Sequence, residues 1–193
     1  MSTFTELKTP RLLLRQWRDS DREPFARMNA DPEVMRYFPS VQSRERSDAG
    51  VDALSQDIED RGWGFWATEL ISTGEFIGFV GVTVPRHPLP YMPCVETGWR
   101  LAKNHWHKGY ATEAASESVR FGFEDLDLDE IVAFTALGNH PSRAVMARLG
   151  MTHDLEADFD HPAVPETSPV RRHCLYRLSR DEAQRRRTSK VRS

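Results

Sequence analysis

Three groups of residues between positions 96 and 142 have the types and spacings to do chemistry. Glu96 lies in Cys94-Val95-Glu96-Thr97-Gly98-Trp99-Arg100-Leu101, which alternates like a half-buried strand with Val95 and Thr97 turned away from Glu96. A carboxylate partly withdrawn from water binds its proton more tightly and can take one from an attacking ammonium, directly or through water. A strand carboxylate can equally be exposed or tied into a salt bridge. The second group is Trp106-His107-Lys108-Gly109-Tyr110-Ala111-Thr112-Glu113-Ala114. It reads as a glycine turn opening a helix. Unpaired backbone N–H groups and the helix dipole there suit an anion such as a pyrophosphate. Gly109 lets backbone approach the anion, and Ala111 keeps the first turn thin. The third group is Asn139-His140-Pro141-Ser142, before a short apolar-periodic helix ending at Gly150. Asn139 or Ser142 can cap that helix, which Pro141 helps to start.

Other chemistries fail on spacing. A P-loop needs four residues between its first glycine and a Gly-Lys-Ser/Thr, and a dinucleotide fingerprint needs further glycines after Gly109. No G-x-S-x-G is present for a serine hydrolase. His105 and His107, with His140 further on, suggest no complete ligand set, so no metal is expected.

The elements that must position these groups follow from periodicity. Arg11–Trp17 reads as a strand. Ser20-Asp21-Arg22-Glu23 reads as a capping box with Ser20 as N-cap, and Pro24 suits the first turn of the helix carrying Phe25 and Met28. Asp31-Pro32 starts a short helical turn. Val51, Leu54 and Ile58 predict an amphipathic helix between Arg44 and Arg61. Residues 64–70 and 76–84 form a hairpin around Ser72-Thr73-Gly74. A proline-rich loop precedes the Glu96 strand. Then come a central helix over 109–124, a strand over 131–137, a helix over 142–149 with Gly150 at its C′ position, and two strands near 152–160 and 171–178. This order implies a single α/β (α+β) domain over residues 7–179, with a mixed, twisted sheet and helices on both faces.

With 193 residues and 39% hydrophobic content, one domain with a proper core is expected. Cys94 and Cys174 read as free thiols in a reducing compartment. Polar first residues and the lack of a membrane-length apolar run predict a cytoplasmic protein without membrane partners. The net charge of −3 argues against general nucleic-acid binding. Residues 180–193 hold six basic and two acidic residues, a local +4 that leaves −7 elsewhere. That stretch reads as a basic, flexible, solvated end. Oligomeric state is not legible, and a homodimer stays open.

Glu96–Leu101, Trp106–Ala114, the Asn139–Ser142 pair before a helix ending Leu149-Gly150-Met151, Thr9–Arg15 and Asp31–Met35 together resemble the GCN5-related N-acetyltransferases. Within them they resemble the branch that includes the Rim-type ribosomal-protein enzymes. That branch commonly has glycine where this chain has His107, and phenylalanine where it has Met151. The resemblance implies transfer of an acetyl group from acetyl-CoA to a primary amine, either a protein N-terminal α-amine or a small-molecule amine. It implies direct attack in a ternary complex with Glu96 as base. The pantetheine would pair with backbone near Trp99 and Leu101. The pyrophosphate would sit on the amides of His107, Lys108, Gly109, Tyr110, Ala111 and Thr112. Asn139 would touch the cofactor arm. Many relatives place a tyrosine acid where this chain has Met146, so Ser142 becomes the acid, with Tyr176 or water behind it. Phe38, Met35, Trp63 and Trp66 are candidates to line the acceptor pocket. A non-catalytic acyl-CoA sensor on the same fold is the alternative.

Overall fold

The computed structural model describes residues 4–191, with side chains described through residue 186. Its eight strands are β1 (Leu7–Lys8), β2 (Leu12–Arg15), β3 (Phe65–Leu70), β4 (Phe76–Thr83), β5 (Glu96–Leu101), β6 (Glu130–Ala136), β7 (Thr152–Asp160) and β8 (Arg172–Ser179). The helices are α1 (Arg22–Ala30), α2 (Arg44–Arg61), α3 (Tyr110–Glu124), α4 (His140–Leu149) and α5 (Arg180–Val191). One sheet runs in the order β1-β2-β3-β4-β5-β6-β8-β7. Among the described residues only β5 and β6 pair in parallel, because α3 carries the chain over the sheet between them.

Register and packing define two faces. Trp66 pairs with Val80, Val80 with Trp99, and the Trp66 ring meets Phe121 of α3 edge-on at 5.5 Å. Gly122 of α3 lies over Ile131, and Met146 of α4 joins the core beside Cys174 and Tyr176. The α3 and α4 helices therefore cover one face. On the other, Phe79 of β4 and Phe25 of α1 pack with Trp17 around shared aromatic contacts of 5.0–6.4 Å. Burial of these large rings helps hold α1 to the sheet.

Three local features differ from what was read in the sequence. The capping box at the start of α1 does not use Ser20 and Glu23. A 3-10 turn over Asp19–Asp21 comes first, and the Arg18 N–H donates to the Asp21 carboxylate at 2.8 Å. Asp21 is buried and also holds Arg15 through bonds of 2.7 and 2.9 Å, whereas Ser20 is exposed. The two-residue strand β1 is too short to show a period. Residues Arg180–Val191 form α5 although they lack apolar periodicity. Ser179 and Glu182 make a reciprocal cap: the Ser179 N–H donates to Glu182 Oε2 at 3.0 Å, and the Glu182 N–H donates to Ser179 Oγ at 3.4 Å. The Ser-Arg-Asp-Glu spacing carries that signal. The side chains of residues 187–193 lie outside the described ones.

Candidate active site at the β5–β6 gap

The site is built where the sheet comes apart. Glu96 pairs with Thr83 across β4 and with Val132 across β6, and that is the single β5–β6 register pair. The Val132 N–H donates to the Val95 carbonyl at 3.0 Å. Backbone groups alternate along a strand, so those of Thr97, Trp99 and Leu101 also face β6. Beyond Val132 the strand has moved away. The Leu101 carbonyl is taken by the Trp106 indole N–H at 2.8 Å. Trp99 keeps its N–H and carbonyl directed into the gap. An extended amide chain can pair there as a missing strand would.

The side chains of β5 divide cleanly. Thr97 is buried, and its hydroxyl donates to the Gly81 carbonyl at 3.1 Å. Glu96, Gly98 and Arg100 share the opposite face with Thr83, Gly81 and Phe79, their partners in register. Glu96 is half-buried, and burial pushes its carboxyl up from 4.5 to about 8. A carboxyl raised this far holds its proton at neutral pH and releases a strong base just above it. Tyr91 lies nearby, with its ring 6.3 Å from Phe134 on the Glu96 side of β6. Burial and the nearby Cys94 and Glu96 push its hydroxyl upward.

At the other end of β5 the chain turns through His107 and Gly109, at φ values of 59° and 81°. Both are left-handed. This conformation is free to glycine and uncommon, though accessible, for histidine. Gly109 is the N-cap of α3 and offers no side chain, so the first intrahelical bond is from the Glu113 N–H to the Gly109 carbonyl at 3.0 Å. The N–H groups of Tyr110, Ala111 and Thr112 remain without intrahelical acceptors. A Cβ at Gly109 would meet Arg11 Nη2 at 3.4 Å. Arg11 is held there by Glu113 through its Nε at 2.7 Å, and it stacks on the Tyr110 ring at 4.5 Å. Lys108 is exposed beside the turn. Donors, dipole and cations all fit a pyrophosphate.

Asn139 and Ser142 sit at the start of α4. Asn139 caps the helix, accepting from the Ser142 N–H at 3.3 Å, and its Nδ2 donates to Thr135 Oγ1 at 2.8 Å. The Ser142 hydroxyl makes no hydrogen bond among the described residues. The Tyr176 hydroxyl accepts from Arg143 Nε at 3.3 Å. Of the four candidates for the acceptor side, Trp66 and Met35 are core residues at 0% and 3% exposure, and Trp66 faces α3. Trp63 is partly buried against the core with Arg61 over its ring. Phe38 alone of the four is exposed, and it stacks on Arg100 on the Glu96 face. Arg100 was not legible as a site residue, since one arginine in an alternating strand reads as an outward cation. Among the described residues no group of His, Cys, Asp and Glu side chains could hold a metal ion.

Comparison with known proteins bears on the same residues. The acetyltransferase (GNAT) domain profile matches residues 11–152. The FsC-acetyl coenzyme A-N(2)-transacetylase of Aspergillus fumigatus is 31% identical over 183 residues, covering 91% of this chain and 77% of that protein. The crystal structure of a GNAT-family acetyltransferase from Bacillus anthracis superposes with a TM-score of 0.77 at 25% identity, covering 92% of this chain and 100% of that one. A Rim-type enzyme, RimJ of Mycobacterium smegmatis in complex with CoA-disulfide, shares the fold at a TM-score of 0.69 and 21% identity, covering 94% and 90%. The split between β5 and β6, the amide turn at Gly109 and these matches agree: the chain belongs to the GNAT family of acetyltransferases.

Proposed function

We propose that this acetyltransferase moves an acetyl group from acetyl-CoA to a primary amine, with Glu96 as general base. The observation that carries the reading is the Glu96 carboxyl, raised to about 8 by burial, at the point where β5 and β6 separate. Acetyl-CoA supplies an activated thioester. The amides of Tyr110, Ala111 and Thr112, with Lys108 and the left-handed turn at His107 and Gly109, hold its pyrophosphate. Trp99 backbone and the Leu101 N–H pair with its pantetheine arm. Glu96 takes a proton from the acceptor ammonium, so that nitrogen can form its bond to the acyl carbon while the carbon–sulfur bond breaks. Ser142 donates a hydrogen bond to the departing sulfur, and solvent delivers the proton. Asn139 acts mainly through the helix it caps.

The acceptor need not be a protein. The name of the Aspergillus relative describes acetylation of an N(2) nitrogen with acetyl coenzyme A. An α-amine with a pKa of ~8 would ask less of Glu96 than a lysine at ~10.4. A panel of peptides and small amines assayed for CoA thiol release tests the proposal. Amine-dependent release supports it, whereas tight acetyl-CoA binding with no turnover on any amine makes the protein a sensor.

A further inference from the structure

We propose that the acceptor carries a carboxylate, received by Arg100, at roughly the length of two to three residues from the amine that Glu96 deprotonates. The inference rests on the role given to Glu96 above. It names the kind of amine that the site selects.

Arg15 is buried and Arg100 half-buried, and their surroundings differ. Arg15 is neutralised by two carboxylates, Asp21 at 2.7 Å and Glu69 at 2.7 Å. Arg100 has no ion-pair partner among the described residues. Its Nη1 donates to Asn29 Oδ1 at 2.7 Å, and its guanidinium lies 4.1 Å from the Phe38 ring centroid and 5.3 Å from that of Phe79. Its Nε is buried, with no hydrogen-bond partner among the described residues. Burial lowers the guanidinium to about 10. Ring faces and one amide oxygen compensate a half-buried cation only in part.

The missing partner has a definite chemistry. With Nη1 engaged by Asn29, the edge left open is the one formed by Nε and Nη2. That edge presents two parallel N–H donors, which a carboxylate accepts as a pair. Phe38, which covers one side of the guanidinium, is itself exposed on the connection between α1 and α2. A second orphaned donor lies on the same face of the sheet: Tyr91 Oη, also buried with no partner among the described residues. Two unsatisfied polar groups therefore flank Glu96 on the side away from α3.

Spacing sets the size of the acceptor. Glu96 and Arg100 are four residues apart on one strand, ~13 Å at ~3.3 Å per residue. Their side chains can lean toward each other, leaving ~7–12 Å for the ligand. The amine and carboxyl carbon of a free α-amino acid are only ~2.5 Å apart. An extended peptide advances ~3.3–3.6 Å per residue, so an acidic side chain at the second or third position of an N-terminus spans the distance. An ω-amino carboxylate of equal length presents the same two groups.

The test compares acid and amide pairs of acceptors. Peptides Ser-Ala-Glu-Ala and Ser-Ala-Gln-Ala, each C-terminally amidated, and a long-chain ω-amino acid with its primary amide, are assayed with wild type, Arg100→Gln and Arg100→Lys. Wild type should prefer each acid member by ~10–100-fold in kcat/KM, carried by KM, as a charge-assisted pair provides. Preference for the peptide pair alone would assign a peptide acceptor, and preference for the ω-amino pair alone a small molecule. Arg100→Gln should erase the preference, bringing kcat/KM on each acid member down to that on its amide. Arg100→Lys should keep part of it. Equal rates on acid and amide in wild type would overturn the inference while leaving acetyl transfer intact. So would a uniform loss in Arg100→Gln with a lower melting temperature. If no acceptor turns over, calorimetric binding of the same pairs in the presence of CoA decides: binding independent of the carboxylate, or unaltered by Arg100→Gln, overturns it.

Discussion

Replacing Glu96 by Gln should make the folded protein more stable in alkaline solution while making it a poorer enzyme. The carboxyl belongs at 4.5 in the unfolded chain and at about 8 in the folded one, because burial disfavours its charge. Between those values the folded state keeps a proton that the unfolded state has released. Stability therefore falls as pH rises from 4.5 to about 8, and is level on either side. At ~1.36 kcal/mol per pH unit the window amounts to ~5 kcal/mol. The carboxyl is only half-buried by surface area, and water reaching its exposed edge lowers this to ~2–4 kcal/mol. Glutamine keeps the shape and has no proton to lose. Its amide adds an offset that is the same at every pH. Urea unfolding of wild type and Glu96→Gln at pH 5 and pH 9 reads the difference directly. The variant should gain ~2–4 kcal/mol on wild type between the two pH values. Parallel stabilities, or a wild type that gains on the variant at pH 9, would refute a buried, raised carboxyl.

Four further outcomes follow from the turn and from α4. Gly109→Val should abolish acetyl-CoA binding in calorimetry, because a β-branched residue at φ 81° both strains the turn and blocks approach to its amides, while the circular dichroism of the fold persists. His107→Gly should raise stability to denaturant by ~0.5–1 kcal/mol and leave cofactor affinity in place, since it releases a left-handed histidine at φ 59°; a lower stability would deny that strain. Asn139→Ala should cost ~1 kcal/mol as loss of an N-cap, visible as a lower melting temperature, whereas Ser142→Ala should leave melting unchanged and slow saturated turnover less than Glu96→Gln does.

Much of the framework was legible because it repeats or stops in recognisable ways. Val51, Leu54 and Ile58 fixed α2, whose observed span is Arg44–Arg61. The hairpin at Ser72–Gly74, the glycine turn at Gly109 and the C′ glycine at Gly150 each mark a boundary that a single residue type enforces. The site was legible where chemistry is local, as in the helix opening at Tyr110. It was hidden where the property arises from packing. Nothing near Arg100 in sequence says that Phe38, Phe79 and Asn29 close around it, because they come from three other segments. The capping role of Asp21 was missed because a nearby Ser-x-x-Glu offered the usual pattern, and tertiary pairing with Arg15 prevailed.

The central claim is acetyl transfer to an amine assisted by Glu96. Its most direct measurement is CoA thiol release over a pH series, with wild type and Glu96→Gln and the product checked by mass spectrometry. Wild type should release thiol only when amine is present and should acetylate that amine, with kcat/KM rising as pH passes about 8. Glu96→Gln should lose ~10²–10⁴ of that rate below the amine pKa, recover part of it above, and bind acetyl-CoA as tightly as wild type. A variant with the wild-type rate and pH profile would contradict the account.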